Sequence, residues 1–521
     1  MSQLPFNCAG YDKVMTTLIR DLKGAAEQSY DLIILGGGVY GVSLALEAAM
    51  RGLKNLLIEK KDFGWATTYN HLRTVHGGLR YLQSMDLPRF FESVGERRWF
   101  LQNFPGLVQP LPCLMPLYGQ GVYRPPVFRA ALALNDLLSW QRNHGVAAEQ
   151  KLPAGKVLNP AEVVEIFPDV DQGGLLGAAL WYDAAMPSSQ LLIMAMLSRA
   201  CAAGGTALNY VAAEQVLIED GQVRGVQCRD MESGQELNFR APCLINATGP
   251  ACREFAATFS VDDPSLFKYS IAWNVLFDRP ALSRYSLALK AKRPGCPMYF
   301  IHGFNGRIMG GTVHAPWPGN TKPEPAEEEL AAYIADLNLA VPGLNLKRDE
   351  VLHVYAGLLP AREQGSNRLA VREVIRDHGA HGGPKGAYSV SGVKFTTARL
   401  VAEKTLGQIF STQFSPAKTQ AAAAPAPASP GPGYFAPPGY FAPSWQPDPQ
   451  DPSWQQLKDI IASQAVLHLD DLVIRRTTLG DDPLRALHIA PQLVRLFPWD
   501  EKRQAEEVER LQESFPWCKQ G

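Results

Sequence analysis

Apolar positions along this chain fall into short uninterrupted runs and longer periodic ones, and the first examples of each stand side by side. In "DLIIL" (31–35) an apolar run follows Asp31 and is closed by glycines, the pattern of a strand buried on both faces of a parallel sheet. "VSLALEAAMRG" (42–52) follows with helix-forming composition and stops at Gly52, and "NLLIE" (55–59) is a second buried strand. Strand, glycine turn, helix and strand make a βαβ unit, preceded by a short leader, residues 1–29, that reads as partly helical.

Further along, the period shortens. "GGTALNYVAAEQVLIEDGQVRGVQCRD" (204–230) alternates like paired strands with "EDGQ" as the hairpin turn, and "LNFRAPCLINATGP" (237–250) runs from a strand into a glycine-proline turn. "YSIAWNVLFDRP" (269–280) and "PMYFIHGFNGRIMGGTVH" (297–314) are strand-rich and suit a second, substrate-facing sheet. "GAYSVSGVKFTTARLVAEKTLGQIF" (386–410) returns to strand, glycine turn and helix. Alanine and proline then dominate from Ala421 to Pro452, so a semi-extended linker is expected over 413–452. The apolar spacing after it predicts a compact helical tail over 453–521.

Composition narrows the classes without choosing among them. The 521 residues are 46% hydrophobic with a formal net charge of −1, which suits a globular protein and gives no electrostatic reason to expect nucleic acid. Eight cysteines include no C-x-x-C pair and no zinc-finger spacing, so they read as reduced thiols in a cytoplasmic protein without a metal site. No run approaches the roughly 18 apolar residues of a spanning helix. "RPPVFRAALALNDLLSWQR" (124–142) carries apolar bulk between arginines, which leaves peripheral contact with a membrane open beside its reading as a packed helix.

The chemistry starts at Gly36, Gly38 and Gly41, a G-x-G-x-x-G placed directly after a strand and before a helix. The first glycine permits the tight turn, the second lets backbone approach a pyrophosphate, and the third lets helix pack on strand. The helix start offers unpaired N–H groups and a positive dipole end to phosphates. Glu59, at the end of the second strand, is placed to accept hydrogen bonds from ribose hydroxyls. An NAD domain would continue into further βαβ repeats. Here "DFGWATTYNHLRTVHGGLRYLQ" follows at once, a hydroxyl- and glycine-rich segment suited to a longer cofactor that reaches a flavin ring, so FAD is expected.

Four stretches, "GGGVYG", "ATTYNHLRTVHGGLRYL", "INATGP" and "SGVKFTTARL", resemble in order and spacing the FAD-dependent glycerol-3-phosphate dehydrogenases, within the broader D-amino-acid-oxidase-like flavoprotein group. The resemblance covers roughly 30–412, and "HLDDLVIRRTTLG" extends it into the tail. It implies an α/β fold: a doubly wound, Rossmann-like FAD-binding domain (about 30–105, 170–255 and 365–412), an interleaved mixed-sheet substrate domain (about 106–169 and 256–364) and a C-terminal helical domain. It also implies hydride transfer from the secondary alcohol of sn-glycerol 3-phosphate to flavin N5, giving dihydroxyacetone phosphate, with quinone or another acceptor taking the electrons. Whether the protein is a homodimer is left open.

The resemblance also distributes roles. Thr67 and Thr68 would lie beside pyrophosphate and flavin, Thr248 and Gly249 form the shared "ATGP" turn, and Gly77 and Gly78 would let backbone approach the isoalloxazine. Gly392 and Thr396 would flank the pyrimidine edge. His76 is the candidate base, since imidazole takes a proton near neutral pH; a histidine that only supports its loop is the alternative. Arg80, Tyr81, Arg372 and Lys394 are the candidate anion contacts, with solvated or salt-bridged surface residues as the bland reading. Three places depart from the family: Leu359 stands where it has an arginine, with Arg362 as a shifted substitute, Asn274 where it has a histidine, and "MPSSQ" (186–190) where it has paired acids before a helix. Each lost charge-assisted contact would cost roughly 1.5–3 kcal/mol. Leu359 and Asn274 motivate one rival reading, a flavoenzyme for another hydroxy acid, amino acid or amine; the altered pocket together with the linker's repeated Tyr-Phe pairs suggests another, a low-turnover flavin-bearing interaction protein.

Overall fold

The structure, a computed structural model, describes residues 17–411 and 445–518 except 120, 122, 318, 320 and 321, together with Phe441. Residues 1–16 of the leader and most of the expected linker lie outside the described residues. The chain divides into two units, each assembled from separated stretches.

The first unit gathers Met1–Tyr69, Ser189–Ser270 and Leu359–Ser514. Its six-stranded sheet runs, edge to edge, Val374–Asp377, Ala387–Ser391, Leu244–Asn246, Leu32–Leu35, Asn55–Ile58 and Thr206–Leu208. Neighbours are parallel except at the Val374–Asp377 edge, which is antiparallel. Leu32–Leu35 is buried at every position, as a strand covered on both faces must be. Val39–Met50 packs between Ser189–Ala202 and Ala398–Ile409. Ile33, Leu35, Leu56 and Ile58 point the other way, into a core shared with Val216, Val226 and Phe239 of a three-stranded antiparallel sheet. That smaller sheet is the expected hairpin: Glu219 pairs with Gln222 across a turn in which Asp220 (φ 49) and Gly221 (φ 70) are both left-handed. The tail supplies Pro452–Ser463, the single wide turn Asp471–Arg476, Pro483–Leu493 and Glu501–Glu513.

The second unit gathers Asn70–Ser188, Ile271–Leu358 and Phe515–Gly521. A nine-stranded mixed sheet runs from Val351–Pro360 through Tyr269–Pro280, Arg307–Pro316, Tyr299–Phe304, Ser286–Leu289, Gln109–Leu117 and Gly177–Ala185 to Thr74–Val75, with Lys156–Leu158 also paired to Gly177–Ala185. Residues 70–105 and 170–188 belong to this unit because Thr74 and Val75 pair with Ala185 and Ala184. Trp273, Phe277, Tyr299 and Tyr333 form an aromatic core behind the sheet. Among the described residues, no helix is long and apolar enough to cross a membrane.

Candidate active site

In the first unit, the glycine turn closes on itself through two contacts that no side chain would permit. A Cβ on Gly41 would overlap the Gly36 carbonyl oxygen, and one on Gly36 (φ +101) would stand 2.6 Å from the Ala247 carbonyl. Helix and strand therefore meet backbone to backbone. The helix Val39–Met50 is capped by Gly38, which offers no side chain, so its first-turn N–H groups other than that of Val39 can meet an anion. Thr68 Oγ1 accepts from the Val39 N–H at 3.0 Å, which folds the Ala66–Thr68 turn against the helix start. Glu59 accepts from Gly37 N (2.6 Å) and Lys61 N (2.9 Å); burial pushes its carboxyl up, and those two N–H groups oppose that. A helix start behind a glycine turn and a carboxylate at the second strand's end are chemically suited to a dinucleotide, whose pyrophosphate would meet 36–41 and whose ribose would meet Glu59.

The "ATGP" and "SGVKFTT" turns lie in the same unit. Thr248 Oγ1 donates to Asn246 Oδ1 at 2.7 Å, and Gly249 adopts φ +59. Gly392 is required by Tyr40, whose ring fills the place of its Cβ. The Tyr40 hydroxyl donates to the Lys394 carbonyl (3.0 Å) and accepts from the Lys394 N–H (3.2 Å), tying the segment that holds Gly392, Lys394 and Thr396 to the helix start. Arg372 is exposed. Leu359 is half-buried at the end of its strand, and Arg362 is exposed beyond it.

The "VHGGLRY" segment belongs to the second unit. Val75 ends the strand paired to Ala184, so the next residue, His76, comes level with Asp183. His76 Nδ1 lies 3.1 Å from Asp183 Oδ2, with 49% of the imidazole exposed against 5% of the carboxylate. Asp183 Oδ1 accepts from Gly77 N (2.7 Å) and Arg97 Nη1 (3.0 Å), and Trp181 Nε1 lies 3.4 Å from Oδ2. Burial works against the Asp183 charge, but the hydrogen bond from His76, the Arg97 charge and the Gly77 N–H outweigh it and hold the carboxyl below its usual range. What this structure requires of Gly77 is room for Arg97, because a Cβ there would overlap the guanidinium. Gly78 is left-handed (φ +88) and starts the short helix Leu79–Gln83, which sets the exposed Arg80 and half-buried Tyr81 one turn on. The Tyr81 ring carries the guanidinium of Arg89 at 4.9 Å. Asn274, at the position of the family histidine, is buried and accepts from Thr312 Oγ1 at 2.7 Å.

Sequence reasoning missed Asp183, Arg97 and Tyr40. Tyr40 sat inside the glycine motif as an unassigned position. Asp183 follows "WY" in a stretch to which the sequence reading gives no element or role, and nothing local marks it as the partner of a histidine 107 residues earlier.

The family model described as FAD dependent oxidoreductase (DAO) matches residues 31–406, which include every glycine and hydroxyl of the cradle described above. The glycerol-3-phosphate dehydrogenase of Synechocystis sp. is 29% identical over 414 residues, 75% of this chain and 72% of that protein. Glycerol-3-phosphate dehydrogenase 1 of Mycobacterium bovis is 33% identical over 416 residues, 77% of this chain and 78% of its own length. The crystal structure of the Bacillus halodurans glycerol-3-phosphate dehydrogenase complexed with FAD shares the fold, with a TM-score of 0.68 over 95% of this chain and 96% of that one at 18% identity. With a family match over most of its length and a glycine cradle fitted to a dinucleotide, the chain belongs to the DAO family of FAD-dependent oxidoreductases.

Proposed function

We propose that this oxidoreductase converts sn-glycerol 3-phosphate to dihydroxyacetone phosphate. The observation that carries the reading is the segment 76–81, where a half-exposed imidazole, an exposed guanidinium and a phenol follow one another around the left-handed Gly78. Relatives named for glycerol 3-phosphate support that choice of substrate. FAD, when bound, would supply the two-electron oxidising power, as acceptor for the hydride of the carbinol carbon. His76 accepts the hydroxyl proton. Arg80 presents its planar fork to the phosphate, and Tyr81 adds one directional hydrogen bond. Arg372 and Lys394 are assigned further anion contacts, and Thr67 a place beside the pyrophosphate. The acceptor for the electrons is a quinone or a similar oxidant.

Anaerobic mixing of the purified, FAD-loaded protein with a substrate panel tests this. Prompt bleaching by glycerol 3-phosphate, with dihydroxyacetone phosphate recovered, is the expected result. Bleaching only by a hydroxy acid, an amino acid or an amine overturns it.

A lipid-soluble acceptor gives a use to the helix Pro125–Leu138. Its inner face buries Phe128 and Leu132, while Val127 (44%), Leu134 (42%) and Leu137 (69%) form an exposed stripe at helical spacing that continues to Trp140 (73%). Arg124 and Arg129 are exposed beside it. We assign this face to the cytoplasmic surface of a membrane. A protein that stays wholly in the supernatant with anionic vesicles removes that assignment.

A further inference from the structure

Asp183 has more partners than a supporting carboxylate needs, and one of them differs in kind. Gly77 N–H, Arg97 and Trp181 are buried donors within the same unit, enough to satisfy a buried carboxylate. The remaining contact goes to His76, whose ring is half exposed. An ionised carboxylate only accepts hydrogen bonds, so the nitrogen it faces, Nδ1, must carry the proton. Neutral imidazole has one N–H, and Nε2 is therefore left as a bare lone pair. Among the described residues Nε2 has no hydrogen-bond partner, and Phe300 stands beside the ring at 5.3 Å.

We propose that Asp183 is the positioning residue of the reaction, holding His76 in the tautomer whose Nε2 takes the substrate's hydroxyl proton. The assignment rests on the reading of His76 as the base. The proton moves from the alcohol oxygen to Nε2, and Asp183 neutralises the imidazolium that results without itself becoming protonated. Arg97 and the Gly77 N–H keep the carboxylate ionised and fixed, so the imidazole is oriented before substrate arrives. The pairing follows from strand register, since Val75 opposite Ala184 brings His76 opposite Asp183.

Two measurements test this. Nitrogen-15 NMR of histidine-labelled protein, with the His76 signal assigned by its loss in His76→Gln, reports the tautomer directly. The wild type is expected to show the proton on Nδ1, and a proton on Nε2 overturns the proposal whatever the substrate turns out to be. Stopped-flow flavin reduction by glycerol 3-phosphate then compares wild type, Asp183→Asn and Asp183→Glu. The limiting rate should fall by ~10²-fold or more in Asp183→Asn. The substrate dissociation constant from the same traces should be unchanged, and Asp183→Glu should restore part of the rate. An Asp183→Asn protein with full limiting rate overturns the proposal, as does one whose whole loss lies in substrate binding. Should Asp183→Asn fail to fold, the wild-type tautomer and the Asp183→Glu rate still decide. A wild type that glycerol 3-phosphate does not reduce counts against the substrate assignment and leaves the tautomer result to stand on its own.

Discussion

At the scale of single residues, what matters about a glycine is what occupies the space beside it. Gly41 abuts the Gly36 carbonyl, a backbone atom that cannot swing aside, with Leu57 behind it. Gly41→Ala is expected to push the helix off the strand, cost ~1–3 kcal/mol and release FAD. Gly249, by contrast, is left-handed (φ +59) with open space where its Cβ would go, so Gly249→Ala should cost about 1–2 kcal/mol in backbone strain and keep the flavin. Flavin content after gel filtration, read beside the thermal midpoint, separates the two; equal flavin loss from both would show that clash with the turn is not the cause. The strand, turn and helix that carry the three motif glycines and Glu59 were legible because one βαβ unit fixes their relation. Gly77 was legible as a close approach, but the Arg97 guanidinium that makes the approach lies on a helix, Leu87–Asn103, whose facing no local pattern declares.

Among elements, the tail is tied to the first unit by a buried ion pair. Arg476 donates to both oxygens of Asp62, Nη1 to Oδ2 at 2.5 Å and Nη2 to Oδ1 at 2.7 Å, while Asn209 Nδ2 adds a bond to Oδ1 at 2.9 Å. Burial opposes the Asp62 charge, but Arg476 overcomes it and keeps the carboxyl below its usual range. Asp62 sits just past the strand Asn55–Ile58, on the segment that leads into the Ala66–Thr68 turn, so the tail steadies cofactor-side backbone from 414 positions away. Arg476→Met leaves a buried carboxylate without its counter-charge and should cost ~3–5 kcal/mol, whereas Asp62→Asn combined with Arg476→Met should recover much of it. Urea midpoints of the single and double variants measure the difference, and a single variant as stable as wild type would refute the tie. The apolar spacing in 453–514 announced helices well enough. It could not announce their anchor, because a buried arginine and an exposed one look alike in sequence.

Across the whole molecule, buried histidines give the tail and the second unit opposite responses to acid. In the second unit, burial, aided by the Arg73 charge, pulls His71 and His353 down to about 3, and burial with Arg80 nearby pulls His314 down to about 4. A histidine held below its unfolded value of ~6.5 is neutral in the native state, so its stabilisation is complete above that pH and is lost as pH falls. The loss reaches ~1.4 kcal/mol per pH unit for each group. His468, in the tail, is the reverse case: burial works against its charge, but the Glu507 carboxylate at 2.8 Å prevails and raises it. Its contribution is complete below ~6.5 and is lost as pH rises through the raised value. Going from pH 7.5 to 5.5 should therefore loosen 299–316 and 351–358 while tightening 468–511. Hydrogen exchange followed by mass spectrometry at the two pH values, corrected for intrinsic exchange, resolves the segments. His353→Phe should remove part of the acid loss in the second unit alone. If both regions lose protection in parallel, neutral burial of these histidines is not what sets acid stability, and the carboxylates within each unit are.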